Sequence, residues 1–329
     1  MKNPNIPTWC MDLYRFTRFS AFGATAVLPL LGAGSVKPDL HLGASLCLLG
    51  VAACFHSFAY IHNDVCDLEL DRSQPLRADY PLVRGDLAPS AALALALSAI
   101  PAAFSLSQGR AGRGYLAAAF ALMAAYNRWG KACPFPPLTD LVQALGWACL
   151  IAYGAEAAGA PPNRLTHYLI GYEILLILMV NGVHGALRDL GNDQACGAQT
   201  TAIMLGASAT PTGLRIGPGL LGYAGLLQAG MFALAHGANR HNHAAHQRRA
   251  ALSLTTLSSL TLALLIHAAR GTISPTDSGM LHLILILSSP IALVEPGLGP
   301  ALRNTTLVAH SLPLLANGMT YDALRRLWP

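Results

Sequence analysis

The chain has 329 residues, of which 53% are hydrophobic and 11% charged, and its mean hydropathy is +0.44. Soluble domains carry roughly 25% charged residues, so this composition excludes an ordinary soluble domain and points to an integral, multi-pass membrane protein. Twenty-one Lys and Arg against sixteen Asp and Glu leave a net charge of +5 spread among loops, without the basic stripe that nucleic-acid binding requires.

Trp9, Leu13, Tyr14 and Phe16 among Lys2, Arg15 and Arg18 suit a short segment lying in the membrane interface over residues 1–16. Pro4, Pro7, Asp12 and Arg15 stand where a cleavable leader needs an apolar core, so none is expected. Spanning helices are expected over 17–35 and 42–62, the second ending directly on Asn63. A polar loop over 72–89 carries Arg72, Arg77, Arg84, Asp86 and Pro89. Apolar runs follow at 90–108, 114–127, 138–160 and 166–187, the last ending on Asp189. Each approaches the ~20 residues a bilayer core demands, the run at 114–127 being the weakest. After Asp193 come runs at 214–236, 250–269, 278–294 and 298–317, the last two interrupted by Pro290, Pro296 and Pro300. The expectation is one all-α domain over 1–329, a polytopic bundle of about nine transmembrane helices, with a motif-bearing core over 15–210 and C-terminal helices over 214–317.

Acid is concentrated where the surroundings are hydrocarbon: Asp64, Asp67, Glu69, Asp71, Asp79 and Asp86 fall within one short stretch. Read as helix, Asn63, Asp67 and Asp71 stand at i, i+4 and i+8, which stacks an amide and two carboxylates on one face. Carboxylates held so close repel one another unless a hard divalent cation lies between them. Mg2+ suits such a place, taking one or two protein carboxylates and filling its remaining positions with water and substrate phosphates. Asp189 and Asp193 repeat the four-residue spacing after another apolar run. Four runs separate the two clusters, and an even number of crossings returns the chain to its starting side, so both face one compartment. Asp64 and Glu69 occupy other faces and read as solvated or supporting groups.

On the same side stand Arg77, Arg84, Arg128 and Lys131, the last two within Tyr126-Asn127-Arg128-Trp129-Gly130-Lys131. Singly each fits positive-inside anchoring; together they supply cations to clamp a diphosphate. The excess of Lys and Arg places this side weakly in the cytoplasm, most simply at the plasma membrane, although Arg240, Arg248 and Arg249 fall on the other side. His236, His241, His243 and His246 read as a solvated loop, and His62 and His184 as packing or supporting groups. Glu156 and Glu173 read as helix-end or polar-partner residues. The seven cysteines include no CxxC pair and read as small apolar residues.

These motifs resemble the UbiA superfamily of membrane prenyltransferases. The first match is Asn63-Asp64-x-x-Asp67-x-x-x-Asp71 with Pro81-Leu82-x-x-Gly85 downstream; the second is Asp189-x-x-x-Asp193-x-x-x-Gly197-x-x-Thr200-Thr201, continuing to Leu205-Gly206. Tyr126 to Lys131 is similar to the family's short motif after its fourth helix. The resemblance implies nine helices around a central cavity open to the cytoplasm and sideways to lipid. It also implies that Asn63, Asp67, Asp71, Asp189 and Asp193 hold two Mg2+ ions that grip a prenyl diphosphate. Asp67, Asp71, Asp189, Asp193 and Lys131 become the catalytic candidates, with Arg77, Arg84, Arg128 and Tyr126 binding the diphosphate or prenyl group.

Two positions depart from the family pattern: Tyr80 stands where Arg is common before Pro-Leu, and Gln199 where Lys or Arg is common before the Thr pair. Tyr60, Tyr80 and Tyr126 offer aromatic faces to an allylic cation. The partners implied are a prenyl diphosphate, a small acceptor and the bilayer. A terpene cyclase on the same fold is the alternative, and a divalent-cation transporter a remote one.

Overall fold

The computed structural model describes residues 8–107, 110–211, 213–242, 244–273 and 275–320. A short helix α1 (Thr8–Phe16) precedes α2 (Phe19–Val36) and α3 (Leu42–Cys66). Beyond α3 the chain makes two short helices, α4 (Leu68–Arg72) and α5 (Pro81–Arg84), before α6 (Pro89–Leu106), α7 (Arg113–Trp129) and α8 (Pro136–Ala157). Helix α9 (Arg164–Met179) runs through a wide π-helical turn at Val180–Gly185 into α10 (Ala186–Ala195). Then come α11 (Thr201–Met204), an antiparallel hairpin of β1 (Ser208–Thr210) and β2 (Gly213–Arg215), and α12 (Pro218–Ala238). Helices α13 (Ala244–Ala269), α14 (Pro275–Val294) and α15 (Pro300–Thr320) close the bundle.

Among the described residues, eight helical segments are long and apolar enough to cross a bilayer: α2, α3, α6, α8, α9 with α10, α12, α13 and α14. Helix α7, only 17 residues long, is not among them but ends beside the first acidic cluster, which matches its standing as the weakest run. Hydrocarbon tails are as apolar as leucine, so helix association inside a membrane depends on close packing of small residues. Helices α2 and α8 show this. They are the most buried spans, with 61% and 67% of an 18-residue stretch of each inside the bundle. They cross where Gly32 meets the carbonyl of Ile151 and Gly154 meets the carbonyl of Pro29. A Cβ at either glycine would overlap backbone, which has no rotamer to yield.

The chain reverses four times between the acidic clusters, through α6, α7, α8 and α9 with α10, so the ends of α3 and α10 share one end of the bundle. There Ser73 Oγ donates to Asn192 Oδ1 at 3.1 Å. The opposite end is tied by Asn163, which caps α9 through Thr166 N at 2.9 Å and donates from Nδ2 to the Ser35 carbonyl at 2.7 Å. His241 stacks on Tyr168 at that same end, and His236 bonds Ser258 at 3.1 Å; His243 lies outside the described residues.

Replacing Gly154 with Ala is expected to cost the bundle more than the roughly 1–3 kcal/mol typical of core overpacking, because the obstacle is backbone. The yield of monodisperse protein in size-exclusion chromatography should fall severalfold, while Gly222→Ala, whose Cβ meets nothing within 4 Å, leaves it unchanged.

Candidate functional site

The helix ending on the first acidic cluster does not stop at residue 62. Helix α3 continues to Cys66, and Asp67 forms the joint into α4. The backbone bonds from Asp67 N to Asn63 O and from Asp71 N to Asp67 O, both 2.8 Å, keep the i to i−4 spacing across that joint. Asn63, Asp67 and Asp71 accordingly line one cavity of about 160 Å³. Asp189 and Asp193, with Asn192, reach the same cavity from α10. The π-helical turn ahead of them carries one extra residue per turn, which rotates all that follows relative to α9.

Contacts between the two clusters are direct. Lys131 Nζ stands 3.8 Å from Asp67 Oδ2 and 3.6 Å from Asp193 Oδ1, bridging the motifs. Gln74 Nε2 donates to Asp189 Oδ1 at 3.1 Å. Glycines in the left-handed region end the local helices on both sides, Gly85 (φ 82°) after α5 and Gly197 (φ 70°) after α10. The Thr pair that follows is structural: Thr200 Oγ1 accepts from Ile203 N to cap α11, and Thr201 Oγ1 donates to Asp140 Oδ2 at 2.5 Å, pinning the segment to α8.

The cations divide. Arg77 and Lys131 line the cavity, as does Tyr126. Arg77 lies 3.9 Å from Asp71 and 4.0 Å from Asp64, with 14% of its side chain exposed. Arg84 does not line it: its guanidinium is held by Asp12, Asp86 and the Asp79 carbonyl. Arg128 is exposed at the end of α7 and does not line it either. Arg18 and Arg188 do, and the sequence motifs point to neither. Arg18 pairs with buried Asp64 and lies over the Tyr60 ring at 5.0 Å; Arg188 grips the neighbouring Asp189 through two bonds of 2.6 and 2.9 Å. Asp140 is a further lining carboxylate outside both acidic motifs. Its place near the start of α8, the helix after Lys131, is the one signal the sequence offers for it.

Tyr60 and Tyr126 present their rings to the cavity, but Tyr80 does not; it lies under the Arg77 guanidinium at 4.8 Å. Asp64 is buried and committed to Arg18 and Arg77, not solvated, whereas Glu69 is exposed. His62, His184, Glu156 and Glu173 all lie outside the lining. His62 stacks on Phe58 and bonds Asn127 at 3.0 Å, and His184 bonds His282 at 3.0 Å.

The donor set is entirely hard: carboxylates and amides, without thiolate or imidazole among the lining residues. Asp193 Oδ1 is buried and has no hydrogen-bond partner. Among the described residues no three His, Cys, Asp or Glu side chains form a ready-made metal cage. A divalent ion here therefore needs oxygens from its ligand to complete its shell, which is how Mg2+ binds phosphates. Burial pushes the Asp71 carboxyl up to about 6, with Arg77 opposing, and raises Asp67 for the same reason, with Lys131 opposing.

Residues 21–250 match the UbiA prenyltransferase family. No curated protein matches the chain in sequence. Among solved structures, a UbiA homologue from Aeropyrum pernix K1 is similar with 19% identity and a TM-score of 0.63, covering 84% of this chain and 94% of that one. The digeranylgeranylglyceryl phosphate synthase structure is similar with 13% identity and a TM-score of 0.62, covering 88% and 98%. A UbiA homologue from Archaeoglobus fulgidus, solved with DMAPP and Mg2+, gives 17% identity and a TM-score of 0.57, covering 86% and 99%. At these identities the likeness is one of fold.

Two outcomes follow from the geometry. Cation–π contacts contribute ~0.5–2 kcal/mol, so Tyr80→Leu should weaken binding of inorganic diphosphate with Mg2+ between twofold and thirtyfold by releasing Arg77, while Tyr80→Phe preserves it; titration calorimetry on nanodiscs distinguishes them. Because Asp71 titrates near 6 in the fold, above its ordinary 3.8, Mg2+ affinity should fall as pH drops through about 6, where an ordinary carboxylate would hold its charge to about 4. The ligand-free fold should gain stability across that same window, because the folded chain binds the proton more tightly than the unfolded one.

Proposed function

Because the chain belongs to the UbiA prenyltransferase family, we propose that it ionises an allylic prenyl diphosphate, with Mg2+ as cofactor, and transfers the prenyl group to a small aromatic or other nucleophilic acceptor. The observation that carries this is Lys131 standing within 4 Å of both Asp67 and Asp193. Two acidic motifs thereby share one cation, one cavity and, in this reading, one diphosphate. The Archaeoglobus fulgidus homologue solved with DMAPP and Mg2+ supports the reading.

Asn63, Asp67 and Asp71 on one wall, with Asp189 and Asp193 on the other, would hold the metal. When bound, Mg2+ supplies neutralisation of the charge that builds on the leaving oxygens. The chain's own residues do the rest. Arg77 and Lys131 lie beside the carboxylates and face the same oxygens. Arg18 holds Asp64, which with Asp71 positions Arg77. The C1–O bond breaks with its electron pair leaving on inorganic diphosphate. The allylic cation then lies toward the rings of Tyr60 and Tyr126, whose faces stabilise positive charge. The acceptor's electron pair forms the new bond to C1, and its proton is released.

The acids stand at helix ends beyond the apolar runs, which favours this chemistry over cation transport through the mid-membrane. Polar side chains among the apolar ones deeper in the cavity favour capture by an external acceptor over the closed apolar contour that folding an isoprenoid on itself requires. The basic loops beside the cavity mouth support placing it on the cytoplasmic side, at the plasma membrane.

Purified protein offered C10 to C20 diphosphates with Mg2+ should leave them largely unspent until an acceptor is added, then yield a prenylated product by mass spectrometry. Asp67→Asn and Asp193→Asn should each lower turnover at least 100-fold with insertion unchanged. Cyclised hydrocarbon without acceptor would assign a cyclase, and retained activity in either variant would remove the metal role.

A further inference from the structure

Below the charged mouth the cavity has a second, uncharged polar level. Helix α8 runs away from the mouth, so Gln143 and Trp147 stand roughly 5 and 10 Å deeper than Asp140 at 1.5 Å per residue. Helix α9 runs toward the mouth, which puts Asn181 two turns deeper than Asp189. All three line the cavity. Gln143 and Trp147 are four residues apart on one face of α8, and α9 packs along that helix.

Gln143 Oε1, Trp147 Nε1 and Asn181 Nδ2 are each buried without a hydrogen-bond partner. Such atoms are scarce in folded proteins, where nearly all buried polar groups are bonded. Six of the ten found among the described residues belong to cavity-lining side chains: Arg18, Asn127, Gln143, Trp147, Asn181 and Asp193. Orphaned groups thus gather where a ligand would complete them. Trp147 is firmly placed, 4% exposed and edge-on to Phe55 at 5.4 Å and to Tyr60 at 6.0 Å, so its N–H has a set direction.

We propose that Gln143, Trp147 and Asn181 form the acceptor subsite, and that the acceptor is an uncharged molecule bearing a hydroxyl group. This rests on the prenyl-transfer reading above and names its second substrate by class. A hydroxyl donates to Gln143 Oε1 and accepts from the Trp147 or Asn181 N–H, so it answers both kinds of orphan at once. A hydrocarbon tail against this wall would leave all three desolvated and unmet. A carboxylate brings no donor for Gln143, and the lining cations Arg18, Arg77, Lys131 and Arg188 are each already placed against a carboxylate at the charged mouth. The level also lies beside Tyr60, next to where the allylic cation is stabilised.

The test uses the full chain in nanodiscs with geranyl diphosphate and Mg2+, and three acceptor probes: 1-naphthol, 1-decanol and 4-hydroxybenzoate. Thermal stabilisation by geranyl diphosphate with Mg2+ is read first, because it reports the parent reading alone. Its absence in the unaltered protein overturns that reading and this one together. With it present, prenylation of 1-naphthol or 1-decanol in preference to 4-hydroxybenzoate supports the assignment, and the arm that reacts separates a phenol from an aliphatic alcohol. Gln143→Leu, Asn181→Leu and Trp147→Phe should each raise KM for that acceptor at least tenfold, with the stabilisation by geranyl diphosphate retained. Preference for 4-hydroxybenzoate, turnover of neither neutral probe, unchanged KM in all three variants, or an equal loss of geranyl diphosphate binding would each overturn it.

Discussion

At one end of this bundle, Asp67, Asp71, Asp140, Asp189 and Asp193 share a cavity with Arg18, Arg77, Lys131 and Arg188. In so confined a space uncompensated carboxylates would repel strongly, since screening by water is partial and effective dielectric is low. The arrangement works because each cation is placed against a particular acid, and Arg77 and Lys131 each against two. Removing one partner from a buried pair costs about 3–5 kcal/mol. Lys131, about a third exposed, falls below that range, while Arg18 against Asp64 is buried enough to fall within it. Charge balance in the free protein is therefore incomplete in a directed way, with acidic oxygen left facing the cavity. A divalent cation brought in by a diphosphate completes it, and the same cations then face the departing oxygens.

Much of this arrangement is legible in the amino-acid sequence. The spacing of Asn63, Asp67 and Asp71, its repetition at Asp189 and Asp193, and the even number of apolar runs between them together require the two clusters to meet. The bundle class follows from the apolar runs alone. Which cation serves which acid is not legible, because the pairing is made by contacts far apart in the chain. Arg84 sits four residues from Tyr80 in a basic loop and has the look of a phosphate ligand, yet Asp12, some seventy residues earlier, and Asp86 occupy it. Arg18 belongs by pattern to an interfacial segment. Its role depends on α2 beginning just after it, with Arg18 itself in the left-handed region at φ 45°, a conformation no local pattern signals. Asp140 is masked by the apolar run that follows it.

Tyr80 shows how a departure from a family pattern is absorbed. A basic residue at that position would add a cation to a loop that already carries Arg77 and Arg84; an aromatic one there supports Arg77 from beneath. At Gln199, by contrast, the cavity simply carries an amide. One position is compensated by position and the other by nothing charged. The mouth accordingly has fewer free cations than the motif pattern alone would suggest, and greater dependence on the few that are there.

That dependence extends to the outer helix. Loop 73–88 carries Arg77, and it is fastened to α1 by two ion pairs, Arg15 with Asp79 at 3.3 Å and Arg84 with Asp12 at 3.1 Å. Helix α1 turns Trp9 and Leu13 outward, 67% and 54% exposed, in a pattern suited to the bilayer interface. Exposed ion pairs contribute little to stability, roughly 0–1 kcal/mol each, so the fastening matters less for holding the fold than for orienting the loop. The apolar face of α1 fixes its depth, its charged face fixes the loop, and the loop sets Arg77 against Asp64 and Asp71. Depth of insertion at the surface is in this way connected, through side chains in contact, to the position of a guanidinium at the diphosphate end of the cavity.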